Sequence, residues 1–116
     1  MAHVTGTVEF VYDFVSVPCH IAWKCLDPMI KAIGAEVVMT PVLCGGIFKA
    51  LGNAGPMGIP AKQEWYVREL ALWARRRGVP LVLSPFLPIR SLPLMRGCFV
   101  AAERNETSRY VDAVFD

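Results

Sequence analysis

The sequence predicts an α/β fold: a strand–helix–strand unit followed by helices. Three observations carry this. Two runs rich in β-branched and aromatic residues, Val8–Val15 and Ala35–Cys44, have strand character. Between them, Ile21, Ala22, Cys25, Leu26, Met29, Ile30 and Ile33 recur at the 3.6-residue period of one helix face. From Ala61 onward the pattern is helical again, broken by a proline-rich connector.

Taken in order, Val8–Val15 (V-E-F-V-Y-D-F-V) has few polar positions and is expected to be a largely buried strand. Ser16 followed by Val17 and Pro18 is a helix start signal, serine as N-cap and proline in the first turn. The helix from Cys19 to Ile33 is expected to kink or split at Pro28, and Gly34 suits its C′ position. Pro41 predicts that the second strand ends early or lies at an edge. Two strands joined by a helix should run parallel if they share a sheet.

Gly45 to Pro60 reads as a loop with a short helical patch at Ile47–Leu51. Ala61–Arg77 is the clearest helix, with Tyr66, Leu70, Trp73 and Arg77 expected on one face. Arg75, Arg76 and Arg77 complement its C-terminal dipole, and Gly78 and Pro80 end it. Leu81–Pro93 is expected to be extended, and Leu94–Glu103 and Glu106–Asp116 helical.

Composition excludes several function classes. With 116 residues the size fits one domain, and the formal net charge of +2 gives no field for nucleic acid or an anionic membrane. No run of about 18 apolar residues exists, so a membrane-spanning helix is not expected. Met1–Thr7 lacks the charged and apolar regions of a secretory signal, so a cytoplasmic compartment with reduced thiols is expected. Cys19, Cys25, Cys44 and Cys98 show neither dithiol-redox nor zinc-ribbon spacing. His3 and His20 are too few for a metal site, and Cys19 and His20, adjacent on a helix, diverge by about 100°. Gly45-Gly46-Ile47-Phe48-Lys49 lacks the spacing of a phosphate loop. Trp65, Tyr66 and Trp73 are expected to be core residues.

Ser16 stands at the junction of strand and helix, where free N–H groups and the positive dipole end can hold an anion or stabilise a thiolate. Capping is the commoner role of serine there, and spacing leaves both open. Ser16-Val17-Pro18-Cys19 has the layout of a C-x-x-C redox site with serine in place of the first cysteine. Cys19 alone cannot cycle as a dithiol, and its default role is that of a small buried apolar residue.

Several segments in the right order resemble the 2-hydroxychromene-2-carboxylate isomerase family, relatives of kappa-class glutathione transferases and DsbA-like oxidoreductases. Phe10-Val11-Tyr12-Asp13-Phe14-Val15-Ser16 is similar to the family's F-Y-F-D-F-x-S segment, and Pro41 to Ala50 to its P-x-L-L-G-G-x-F-K-A stretch. Gly52-Asn53 and Pro60-Ala61-Lys62 match its G-N and P-x-K elements, and Trp73 to Leu81 its W-A-R-x-x-G-V-P-L block. Arg96-Gly97 and Ala101-Ala102-Glu103 continue the likeness, which covers the chain from about Val8 to the end.

The resemblance implies a partial thioredoxin-like fold, residues 1–52, followed by part of an inserted all-helical domain, residues 53–116. It also implies glutathione as cofactor, with its thiolate beside Ser16 as the catalytic residue and Asn53 and Lys62 binding glutathione or substrate. The implied reaction interconverts 2-hydroxychromene-2-carboxylate and trans-o-hydroxybenzylidenepyruvate, so the second partner is a small aromatic carboxylate. A kappa-like glutathione transferase and a non-catalytic binding remnant are the alternatives. The sequence departs from the family at Ser16-Val17-Pro18-Cys19, where Ser-Pro-Tyr-Ser is usual, and at Ile89-Arg90, where Val-Asn is common. Family members are roughly twice as long, beyond the usual one-domain size. The chain is therefore expected to be a truncated form, ending inside the insert, that is completed by a missing C-terminal half or by homo-oligomerisation.

Overall fold

The computed structural model describes residues 6–116. His3, and all of the leader expectation up to residue 5, lie outside the described residues. The elements run β1 (Thr7–Tyr12), α1 (Val17–Ile33), β2 (Glu36–Pro41), α2 (Cys44–Leu51), a 3-10 turn (Pro56–Gly58), α3 (Pro60–Arg77), α4 (Leu92–Glu103) and α5 (Thr107–Phe115). β1 and β2 pair in parallel, with Phe10 beside Met39 and Tyr12 beside Pro41, as the strand–helix–strand reading requires. The fold is thus the α/β arrangement that the sequence predicts, and it agrees with the partial thioredoxin-like fold that the resemblance implies.

β1 departs from the expected buried strand. It stops at Tyr12, and its exposure alternates: Val8, Phe10 and Tyr12 face inward while Thr7, Glu9 and Val11 face outward. The reason is that α1, α4 and α5 all cover the same face. Tyr12, Phe14, Met95, Cys98, Val111 and Phe115 form one buried cluster there, joined by Phe10, Trp23 and Met39. This core crosses the 52/53 boundary, since β1 and α4–α5 bury their apolar residues against one another. The opposite sheet face leaves Val11 and Val38 about half exposed. Parallel sheets are normally covered on both faces.

α1 is one continuous helix across Pro28, not two. Pro28 cannot donate to the Lys24 carbonyl, but both residues are exposed, so water can satisfy the freed group. Gly34 ends the helix at φ 67°, donating back to the Lys31 carbonyl, as expected of a C′ glycine.

A second cluster joins α1 to α3: Ile21, Leu70, Ala74 and Val79, flanked by Val17, Cys25 and Tyr66. The buried stripe of α3 is therefore Tyr66–Leu70–Ala74, spaced four residues apart. Trp73 falls outside it, 43% exposed, with the Arg76 guanidinium 5.5 Å from its ring centre. Trp65 is 54% exposed. The expected core role of these two tryptophans is not met, because the face of α3 that packs on α1 is the Tyr66–Leu70–Ala74 stripe.

α2 is longer than the predicted patch. It starts at Cys44 and takes in both Gly45 and Gly46. Two glycines disfavour a helix start by about 1 kcal/mol each relative to alanine. The compensation is tertiary: the Cys44 N–H donates to the Asp13 carboxylate at 2.7 Å. α4 likewise begins at Leu92, ahead of the expected Leu94.

Candidate functional site at the start of α1

Chain direction puts the C-terminal ends of both parallel strands side by side, and each strand runs directly into a helix. Two helix N-termini therefore meet beyond Tyr12 and Pro41. Between them lies Asp13, fully buried. One carboxylate oxygen accepts from the Val15 N–H at 2.9 Å, the other from the Cys44 N–H at 2.7 Å. Its backbone carbonyl accepts from the Ser16 N–H at 3.0 Å. A single side chain thus shapes the turn before α1 and caps α2, where a negative group is favoured by the helix dipole.

Ser16 is the N-cap of α1. Its Oγ accepts from the Cys19 N–H at 3.4 Å. A hydroxyl that accepts on its oxygen keeps its own proton for a second partner. The capping role and the capacity to donate to an anion therefore coexist. The first N–H of α1, that of Val17, has no acceptor within the helix.

Lys62 lies in the first turn of α3, exposed, with no ion pair among the described residues. It sits one helical turn before Tyr66, which, like Val17 of the first turn of α1, packs on the α1–α3 cluster. Asn53 follows the C-terminal cap of α2. Its side-chain oxygen accepts from the Gly55 N–H at 2.7 Å, so its amide N–H groups remain available. α2 has eight residues, so Asn53 stands about 12 Å from the Asp13–Cys44 junction by helix rise. The structure brings Tyr66 of α3 to the junction, near Cys19 and Cys44, and puts Asn53 at the far end of α2.

Three groups that the sequence reading left outside the site belong to this junction. Asp13 is one, and its only sequence signal is an acidic residue inside an otherwise apolar strand run. Cys44 is another; burial pushes its thiol up, helped by the neighbouring Asp13 carboxylate and then Cys19. The third is Tyr66, whose phenol is raised by burial first and then by Cys19 and Cys44. His20, next in sequence to Cys19, stacks edge-on against Phe115 at 5.3 Å. Among the described residues no group of three or more His, Cys, Asp or Glu side chains could hold a metal ion.

Glutathione is the small molecule the resemblance implies, and its dimensions can be compared with the junction. A tripeptide extends about 10 Å, close to the length of α2. The residues present fit such a ligand: a hydroxyl and free N–H groups for a thiolate, an amide, and a cation for a carboxylate.

Comparison with known proteins follows the same lines. The chain is 24% identical over 111 residues to a 2-hydroxychromene-2-carboxylate isomerase of Pseudomonas putida, covering 94% of this chain and 54% of that protein. A solved structure of a 2-hydroxychromene-2-carboxylate isomerase superposes with a TM-score of 0.79 at 25% identity, covering 94% of this chain and 54% of the other. The chain therefore spans about half the length of the relatives it matches. No helix among the described residues is long and apolar enough to cross a membrane. The profile of the DSBA-like thioredoxin domain family matches residues 7–116, nearly the whole chain, and the chain belongs to that family.

Proposed function

We propose that the chain carries the thiolate-holding half of a glutathione-dependent isomerase acting on 2-hydroxychromene-2-carboxylate. The observation that supports this most is the Ser16 hydroxyl, anchored by the Cys19 N–H at the start of α1 with its own proton unspent. Glutathione, when bound, supplies a thiolate that adds reversibly to the substrate. The Ser16 O–H donates to that sulfur, and the α1 N-terminus adds the favourable end of its dipole. Lys62 binds a carboxylate as a compact cation, and Asn53 donates from its amide at the far end of α2. Asp13 touches neither ligand; it positions Ser16 through the turn.

The open face of the sheet bears on partners. The radius of gyration is 15.4 Å, against about 13 Å for a compact chain of this length. Uncovered Val11 and Val38, and a sheet that has two strands among the described residues, leave apolar surface and strand edges to be paired. In the reading proposed here, a polypeptide segment equivalent to the half of the relatives that these residues do not span covers that face. A homo-oligomer is the competing arrangement.

The test is an amide NMR titration with reduced glutathione, paired with an absorbance assay of chromene-carboxylate isomerisation. Shifts centred on Ser16, Lys62 and Asn53, and a turnover that Ser16→Ala lowers far more than it weakens glutathione binding, are expected. Equal turnover in Ser16→Ala removes that residue's role. Conjugation of a halogenated nitroaromatic without isomerisation assigns a kappa-like transferase instead. A spectrum that ignores glutathione overturns both readings.

A further inference from the structure

Cys19 and Cys44 lie 25 positions apart in the sequence and show no motif spacing, yet the fold gathers them at one junction. Three hydrogen bonds link their backbones in series. The Cys44 N–H donates to the Asp13 carboxylate at 2.7 Å. The Ser16 N–H donates to the Asp13 carbonyl at 3.0 Å. The Cys19 N–H donates to the Ser16 Oγ at 3.4 Å. Cys19 and Leu43, the residue before Cys44, pack on the same buried cluster. Tyr66 of α3 is a common neighbour whose phenol feels both thiols. Both cysteines are half-buried, open enough for a small reagent. The remaining two differ in setting: Cys98 is 2% exposed, and Cys25, though also half-buried, lies about two turns into α1 on the α1–α3 cluster.

We propose that Cys19 and Cys44 form a reactive thiol pair that exchanges with low-molecular-weight disulfides and closes into an intrachain disulfide joining the first turns of α1 and α2. The pairing needs nothing from the isomerase reading and stands or falls separately.

The chemistry balances as two exchanges. The Cys19 sulfur, having given its proton to solvent, attacks one sulfur of a disulfide RSSR. That S–S bond breaks, a mixed disulfide Cys19–S–S–R forms, and RS⁻ leaves and takes up a proton. The Cys44 sulfur, deprotonated in turn, then attacks the Cys19 sulfur and expels the second RS⁻, which is also protonated. Two protein thiols are oxidised to one disulfide, and RSSR is reduced to two RSH. Burial first, then Asp13 and Cys19, pushes the Cys44 thiol up, and the closing step falls to Cys44. The closed form would tie together the two helix starts that flank Ser16.

The test incubates the full reduced chain with 2-hydroxyethyl disulfide, an uncharged probe without a glutathione moiety, then alkylates the remaining thiols and maps the peptides by mass spectrometry. The expected product has lost two hydrogens, with the peptides carrying Cys19 and Cys44 cross-linked and Cys25 and Cys98 alkylated. Cys44→Ser is expected to stop at a stable mixed disulfide on Cys19, and Cys25→Ser to leave the cross-link unchanged. Circular dichroism of each reduced variant checks its fold. If Cys44→Ser fails to fold, the unmutated chain still decides the matter through its peptide map. Separate adducts on Cys19 and Cys44 that never close, or a cross-link through Cys25, overturn the proposal.

Discussion

The Asp13 carboxylate holds the backbone N–H of Cys44 at 2.7 Å, across 31 positions of sequence. With its second bond to Val15, it couples the turn before α1 to the start of α2. Asp13→Asn keeps the shape but sets an amide donor against one of these N–H groups. An unsatisfied buried donor costs about 1–3 kcal/mol. Urea denaturation should show a loss in that range, and a larger one for Asp13→Ala. A change below about 0.5 kcal/mol, the usual size for surface substitutions, would show that the carboxylate is dispensable.

Gly97 has a similarly specific reason to exist. A Cβ there would overlap the Tyr110 hydroxyl oxygen and meet its ring carbon at 2.8 Å. That hydroxyl donates to the Leu94 carbonyl at 2.7 Å, pinning α5 against α4. Gly97→Ala should destabilise the chain by about 1–3 kcal/mol through overpacking. Tyr110→Phe alone should cost about 1 kcal/mol for the lost hydrogen bond. Because removing the hydroxyl also removes the worst clash, the double variant should lose less than the sum. Strict additivity in thermal or urea melts would mean that the two residues do not meet.

His20 makes stability depend on pH. Burial lowers its pKa below 6.5, Lys24 lowers it further, and Asp116 partly opposes them. The unfolded chain therefore binds a proton at His20 more readily than the folded one. Its stabilising contribution is complete above pH 6.5 and declines as pH falls through the lowered folded value. Unfolding midpoints recorded downward from pH 8 should fall on the acid side of 6.5, and His20→Gln should flatten that limb. An identical slope in the variant would assign the effect to carboxylates elsewhere.

Much of the fold was legible because local signals and tertiary demands agreed. Ser16, Gly34, Gly78 and the strand runs each mark an element end by backbone chemistry that acts within a few residues. Where the reading failed, a distant group had intervened. The start of α2 at Cys44 depends on Asp13, and the exposure of Trp73 depends on which side of α3 meets α1. The open face of β1 depends on α1, α4 and α5 all choosing one side of the sheet.

The site divides in the same way. Ser16 could be read as a helix cap from the sequence because a cap is a local event, whereas Asn53 and Lys62 enter only through the family resemblance. Asp13, Cys44 and Tyr66 could not be named from the sequence, since each joins the junction only through contacts made across the fold. The sequence by itself determined the order of strands and helices and the serine at the first helix start, because hydrogen bonding and apolar periodicity along the chain specify these. The tertiary structure alone decided which helix starts meet, because two parallel strands must end side by side before a carboxylate on one can cap the helix that follows the other.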